Sequence, residues 1–159
     1  MKKVLTILQK DGRAEVTDIS KRVNADAKDV RQAMAELQKT GVIMGYQAIV
    51  NPDKTGDDSV LSLIEVCVTP QRDIGFDAIA RRIYKFPEVK TCYLVSGAYD
   101  LLLVVEGDSL RQVATFVAEK LATLDHVQST RTHFLLRKYK EHGVALQAEE
   151  EPERLAITP

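Results

Sequence analysis

Through residue 40 the apolar positions recur at intervals of three and four, the spacing of one helical face. Val4, Leu5, Ile7 and Leu8 form a first short stripe, closed by Asp11-Gly12. Val16, Ile19 and Val23 form a second, and Asn24 can then take the left-handed conformation that ends a helix. Asp26 offers an N-cap to a third helix with Val30, Met34 and Leu37 inward, ended at Gly41. Three short helices, the last two joined by only a few residues, predict a helix-turn-helix in residues 1–45. Residues 42–50, VIMGYQAIV, are β-prone and predict a wing or linking strand. The stretch NPDKTGDD, residues 51–58, is turn chemistry throughout and marks a boundary, so 46–58 reads as a linker.

Beyond that boundary the period changes. Strands are predicted over 59–69, 88–96, 98–106 and 126–140, with a tight turn at Gly97 joining the middle two. A helix is predicted over 76–86. Another starts from an Asp108 cap and runs to about Leu124, with Leu110, Val113, Val117, Leu121 and Leu124 inward. The order β-α-β-β-α-β is a ferredoxin-like split unit over 59–142, which makes the chain α+β. Residues 143–159 are acidic and without periodicity, and predict a disordered tail.

Composition changes this picture little. Of 159 residues, 45% are apolar and 28% charged, a soluble globular balance, and a net charge of −1 gives no global attraction to a polyanion or membrane. The charge is unevenly spread, at +3 over residues 1–45, −1 over 46–143 and −3 beyond. The longest apolar run, 101–105, is far short of the roughly 20 residues a membrane span needs. The opening MKKVLTILQKDG starts like a signal peptide, but its apolar stretch soon meets Lys10 and Asp11, so the expected location is the cytoplasm. Cys67 and Cys92 lack a C-x-x-C spacing and read as reduced packing residues.

Catalytic signatures fail. Leu94 stands where a nucleophile elbow at Ser96 would need glycine, and there is no P-loop or dinucleotide fingerprint. His126, His133 and His142 lack the spacing of a helical metal site, so neither a metal nor a cofactor is expected. Two constellations remain. The third helix turns Lys28, Asp29, Arg31, Gln32, Ala35, Glu36, Gln38 and Lys39 outward. Arg31 and Gln32 have the donors and acceptors that read guanine and adenine, and Arg13, Lys21 and Arg22 suit phosphates. Asp29 and Glu36 point the other way, to an ordinary amphipathic helix. In the second half, Thr130 and Thr132 put two hydroxyls on one side of a strand. Gly97 allows close approach to backbone N–H groups, and Asp100 supplies a carboxylate, a set suited to a zwitterion. A plain hairpin with β-forming threonines explains the same residues.

Three stretches tip the balance: LQKDGRAEVTDISKRVN at 8–24, GVIMGYQAIVNPDKTG at 41–56, and SGAYDLLLVVEG followed by VQSTRTHFLL. In this order they resemble the Lrp/AsnC (leucine-responsive, feast/famine) family of transcriptional regulators, over roughly residues 2–142. The resemblance implies a winged helix-turn-helix joined to a βαββαβ sensor, a homodimer often built into octamers, and double-stranded DNA as partner. It also implies a small effector, typically an amino acid, held between neighbouring sensor domains. By position, Gly97, Tyr99, Asp100, Thr130 and Thr132 resemble the effector site, and Arg31 and Gln32 fall where the family reads DNA. Gln32, Ala33, Ala35 and Glu36 stand where the family commonly carries basic residues, which implies fewer phosphate contacts and a shallower salt dependence. The expected function is regulation of amino-acid metabolism. The rivals are an amino-acid-sensing oligomer without DNA contacts of its own and, more remotely, an enzyme like the sirohaem decarboxylases.

Overall fold

Helices α1 (Lys2–Lys10), α2 (Val16–Val23) and α3 (Ala27–Lys39) form where the three apolar stripes lie. The computed structural model describes residues 1–56, 58–69 and 75–146. The chain divides into two units, Met1–Val50 and the remainder from Asn51 onward. In the first, Val4, Leu8, Ile19 and Val30 meet in one small core, with Val16, Val23, Met34 and Ile43 packed around it. Asn24 ends α2 in the left-handed region, at φ 54° and ψ 56°, and its N–H donates to the Ser20 carbonyl. That turn lets α3 start at once. Asp26 holds the N-cap position with an extended backbone, but its carboxylate makes no capping bond.

Past Gly41, which sits at φ +72°, the Ile43 N–H returns to the Leu37 carbonyl at 3.0 Å. Residues 43–50 then carry no regular structure, contrary to the expected wing or linking strand. A strand needs a ladder partner for its N–H and C=O groups, and this unit holds no second strand. Val42, Met44, Tyr46, Ile49 and Val50 are all exposed.

The second unit opens on Asn51, whose Oδ1 accepts from the Asp53 N–H at 3.1 Å and caps a short 3-10 turn, Pro52–Lys54. Strands β1 (Val60–Val68), β2 (Val89–Leu94), β3 (Leu101–Gly107) and β4 (Val127–Phe134) form an antiparallel sheet in the order β2-β3-β1-β4. Helix α4 (Phe76–Ile83) and helix α5 (Leu110–Thr115), which continues π-helically through Phe116–Leu121, cover one face. The core joins Ile64, Val66, Leu101, Leu103 and Val105 of the sheet to Ile79, Ile83, Val113, Phe116 and Leu121 of the helices. Alternation along β1 and β3 explains this, since every second residue faces the helices.

Three details differ from expectation. Ser109, not Asp108, caps α5: its Oγ accepts from the Gln112 N–H, and the Gln112 Oε1 accepts from the Asp108 N–H. The first bond is that of a capping box, but the return bond reaches Asp108, one residue before the cap, and Leu110 points to solvent rather than inward. The last long strand ends at Phe134, and a hairpin of β5 (Lys140–Glu141) and β6 (Val144–Ala145) follows. His142 at φ 44° and Gly143 at φ 88° supply its turn, the positive-φ pair a two-residue hairpin requires. Residues 143–146, assigned to the disordered tail, are therefore structured, and the rest of that tail lies outside the described residues.

Candidate functional site

In the first unit the outward face of α3 carries Lys28, Arg31 and Gln32, all exposed, and Arg13, Lys21 and Arg22 are exposed as well. Val30 and Leu37 anchor the opposite face, so the helix presents these groups from a fixed base. Lys21 lies 3.9 Å from Asp18 with both side chains well solvated, a pair too weak to hold it from another partner. Asp29 and Glu36 share the exposed surface and temper its positive charge.

In the second unit the connection between β2 and β3 is longer than a tight turn. The Val95 N–H donates to the Asp100 carbonyl at 2.8 Å, which leaves Ser96, Gly97, Ala98 and Tyr99 as the loop. Gly97 does not need positive φ, and a Cβ there would meet only Val95 Cγ1, at 4.0 Å. The backbone itself therefore does not demand glycine at this position. Asp100 extends β3, its N–H donating to the Val66 carbonyl at 3.1 Å. Its Oδ2 accepts from the Val68 N–H at 2.8 Å, where the β1–β4 register shifts between Cys67 and Val68. An acid entering a strand thus has a partner inside the fold, which sequence reasoning missed. The Cys67 thiol reaches the Ala98 carbonyl at 3.9 Å and ties the loop to β1.

Thr130 pairs with Val66 and Thr132 with Ile64, so both project toward the helix side of the sheet, half-buried on the edge strand. Strand β1 separates them from Asp100. The five expected effector residues therefore fall into two groups, Gly97, Tyr99 and Asp100 at the start of β3 and Thr130 and Thr132 on β4, with β1 between them. A depression of about 440 Å³ lies elsewhere, lined by Glu88, Lys90, Glu106 and Gln112 among others, and contains none of the five.

Other polar groups have structural partners. Glu65, on the face away from the helices, receives Arg131 at 3.4 Å and His133 at 3.0 Å. Lys120 bonds Glu88 at 2.5 Å and lies 6.0 Å from the centroids of Phe86 and Phe116. The Lys120 ammonium holds the Glu88 carboxyl below its ordinary pKa, against the opposing effect of burial. Burial pushes the Cys92 thiol up, as for an inert packing cysteine, and both cysteines are free. Among the described residues no group of three or more His, Cys, Asp or Glu can hold a metal ion, and no helix is long and apolar enough to cross a membrane.

Comparison with known proteins accounts for both units. Residues 1–44 match the winged helix-turn-helix DNA-binding family, and residues 61–145 match the Lrp/AsnC ligand binding domain. An uncharacterized HTH-type transcriptional regulator of Bacillus subtilis, YugG, is 41% identical over 98% of this chain and 95% of its own. The leucine-responsive regulatory protein of Escherichia coli is 30% identical over 87% of this chain and 84% of its own. A transcriptional regulator of Neisseria meningitidis, solved as an L-methionine complex, superposes with a TM-score of 0.69 at 25% identity, over 87% of this chain and 89% of that one. The Bacillus subtilis and Escherichia coli relatives are both named as regulators. With a first unit that matches the winged helix-turn-helix DNA-binding family and an antiparallel α+β second unit that matches the Lrp/AsnC ligand binding domain, the chain belongs to the Lrp/AsnC family of transcriptional regulators.

Proposed function

We propose that this regulator works in the cytoplasm, that residues 1–45 read double-stranded DNA, 46–58 link, and 59–142 sense an amino acid and assemble the oligomer. The carboxylate of Asp100 carries the sensing part. One of its oxygens is fixed by the Val68 N–H at 2.8 Å, so the group is oriented before any ligand arrives. A carboxylate offers about four lone-pair sites, and an amino-acid ammonium can take those that remain. The loop N–H groups from Gly97, the Tyr99 ring and the hydroxyls of Thr130 and Thr132 serve the rest of the effector. Because β1 stands between Asp100 and the two threonines within one chain, a neighbouring subunit completes the site. The L-methionine complex of the meningococcal relative and the leucine-responsive name of the enteric one favour an amino acid.

Assembly follows from the other face of the sheet. Leu61 and Leu63 of β1 and Leu102 and Val104 of β3 lie there, half-buried and uncovered by either helix. A second copy covers such a surface best, giving a dimer and, by further contacts, a higher oligomer such as an octamer. On DNA, a two-fold dimer sets Arg31 and Gln32 of each α3 in successive major grooves, with Arg13, Lys21, Arg22 and Lys28 on phosphates. Calorimetric titration with the standard amino acids tests the sensor, and Asp100→Asn is expected to weaken binding at least about tenfold. Equal binding by wild type and variant removes Asp100 from the site. Gel shifts at low salt test the reader. Arg31→Ala is expected to cost about 1–3 kcal/mol on the preferred sequence only. An equal loss on every sequence makes Arg31 a phosphate contact.

A further inference from the structure

The β5–β6 hairpin lies beyond the last long strand, and its end meets the start of the same unit. The Asn51 Nδ2 donates to the Leu146 carbonyl at 2.7 Å across 95 residues of sequence, in a half-buried setting. The Asn51 Oδ1 is already engaged with the Asp53 N–H at 3.1 Å, capping the 3-10 turn. Capping alone uses only the oxygen, and an aspartate serves for that. The second bond needs a donor on the same side chain, which among the usual capping residues of this length only asparagine supplies.

The hairpin is itself held firmly. Lys140 pairs with Ala145 and Glu141 with Val144, and the Leu146 N–H closes onto the Tyr139 carbonyl at 3.0 Å. Lys138 and Glu141 add an ion pair at 3.4 Å. Upstream, the Leu135 N–H donates to the Leu61 carbonyl at 2.9 Å, which prolongs the β4–β1 ladder past Phe134. From β4 the chain runs through residues 136–138, which carry no regular structure, into the hairpin, and the hairpin is bonded to Asn51. That residue directly follows Val50, the last residue of the DNA-binding unit.

We propose that the β5–β6 hairpin is a clasp on the base of the linker, and that Asn51 is the positioning residue through which the sensor holds the chain leading to the helix-turn-helix. The clasp fixes where that chain leaves the sensor. Its regulatory part rests on the proposed effector site, because β4 carries Thr130 and Thr132 and leads directly into the hairpin: an effector that steadies β4 steadies the point from which the clasp starts.

The full chain carrying Asn51→Asp tests this, since it keeps the capping oxygen, loses the donor and sets a carboxylate against a carbonyl. A chain ended after Tyr139 removes the clasp by a second route, and one ended after Leu146 keeps it. Amide exchange at Asp53, Lys54 and Thr55 is expected to speed up at least about fivefold in Asn51→Asp and in the shorter truncation, and to stay at the wild-type rate in the longer one. Each standard amino acid in turn then serves as the probe for DNA affinity with and without effector. The fold-change it produces is expected to shrink by at least about half in the two clasp variants, with amino-acid affinity within about twofold of wild type. Unchanged exchange in both clasp variants overturns the clasp. Faster exchange with an undiminished DNA response overturns its regulatory part. If no amino acid alters DNA binding by the wild type, the effector reading fails, and exchange alone decides the clasp.

Discussion

Asp100 is a half-buried acid at the mouth of a strand, and two substitutions separate its bond to Val68 from its proposed contact with an effector. Asp100→Ala leaves the Val68 N–H without its acceptor and is expected to cost about 1–3 kcal/mol in urea unfolding. Asp100→Asn retains an oxygen for that N–H and removes only the charge, so its stability should lie near wild type while its effector affinity falls. If both variants unfold alike, the Val68 bond contributes little. Lys120 offers a second test at this scale. Its bond holds the Glu88 carboxyl below the ordinary value of 4.5, so the pair stabilises the fold above that pH. The gain disappears as acid carries Glu88 through its lowered pKa. Lys120→Met keeps much of the stem beside Phe86 and Phe116 but drops the cation. Its unfolding midpoint should lie below wild type at neutral pH, the gap closing as pH falls below 4.5. Lys120 stays 48% exposed, so solvent screening keeps that gap small. A gap independent of pH would assign the loss to packing.

Among the elements, α5 depends on its first turn. Ser109→Ala removes the acceptor for the Gln112 N–H and is expected to destabilise by about 1 kcal/mol, read by chemical unfolding. Asp108→Ala, which leaves that oxygen in place, should change little. The Ser109-x-x-Gln112 spacing could have disclosed this cap in the sequence, whereas the acid one residue earlier drew attention to itself. The helices and long strands were legible because burial imposes a period, as Ile19, Val30, Ile64 and Leu103 show at 0–1% exposure. Residues 43–50 were not, because β-propensity records only that a residue suits a ladder and carries no information on whether a partner strand exists. The partners of Asp100 and Asn51 were hidden for a related reason. Both are backbone groups, Val68 N–H and Leu146 C=O, and a backbone group looks the same at every position of a sequence. Gly97, Asp100, Thr130 and Thr132 were legible as polar groups suited to a zwitterion, but a plain hairpin explained them as well or better, and only the resemblance added Tyr99 and tipped the balance.

At the scale of the whole molecule, the sheet face that the helices leave uncovered is the proposed assembly surface. Leu63 lies at the middle of that face, flanked across the sheet by Val104 and His133. Leu63→Arg should leave the fold of the single chain intact, since the residue faces away from the helices. It should yield monomers in sedimentation velocity where wild type gives dimers or larger particles. A Leu63→Arg protein of wild-type mass would move the interface elsewhere, with the exposed apolar stretch from Val42 to Val50 the next surface to test. On the proposed dimeric reading of DNA, this variant should also weaken DNA binding without touching α3.

The sheet order has a consequence in time. Strand β1 is the first of the sheet to leave the ribosome, yet its neighbours are β3 and β4, and contacts such as Glu65 to His133 span 68 residues. The three helices of the first unit need only local contacts and precede all of this in the chain. A chain under synthesis can therefore form its reading helix long before β4 arrives to complete the sensor. On the proposed roles, a new copy would hold α3 before the strand bearing Thr130 and Thr132 exists, and a translation halted before Val127 would fix that state.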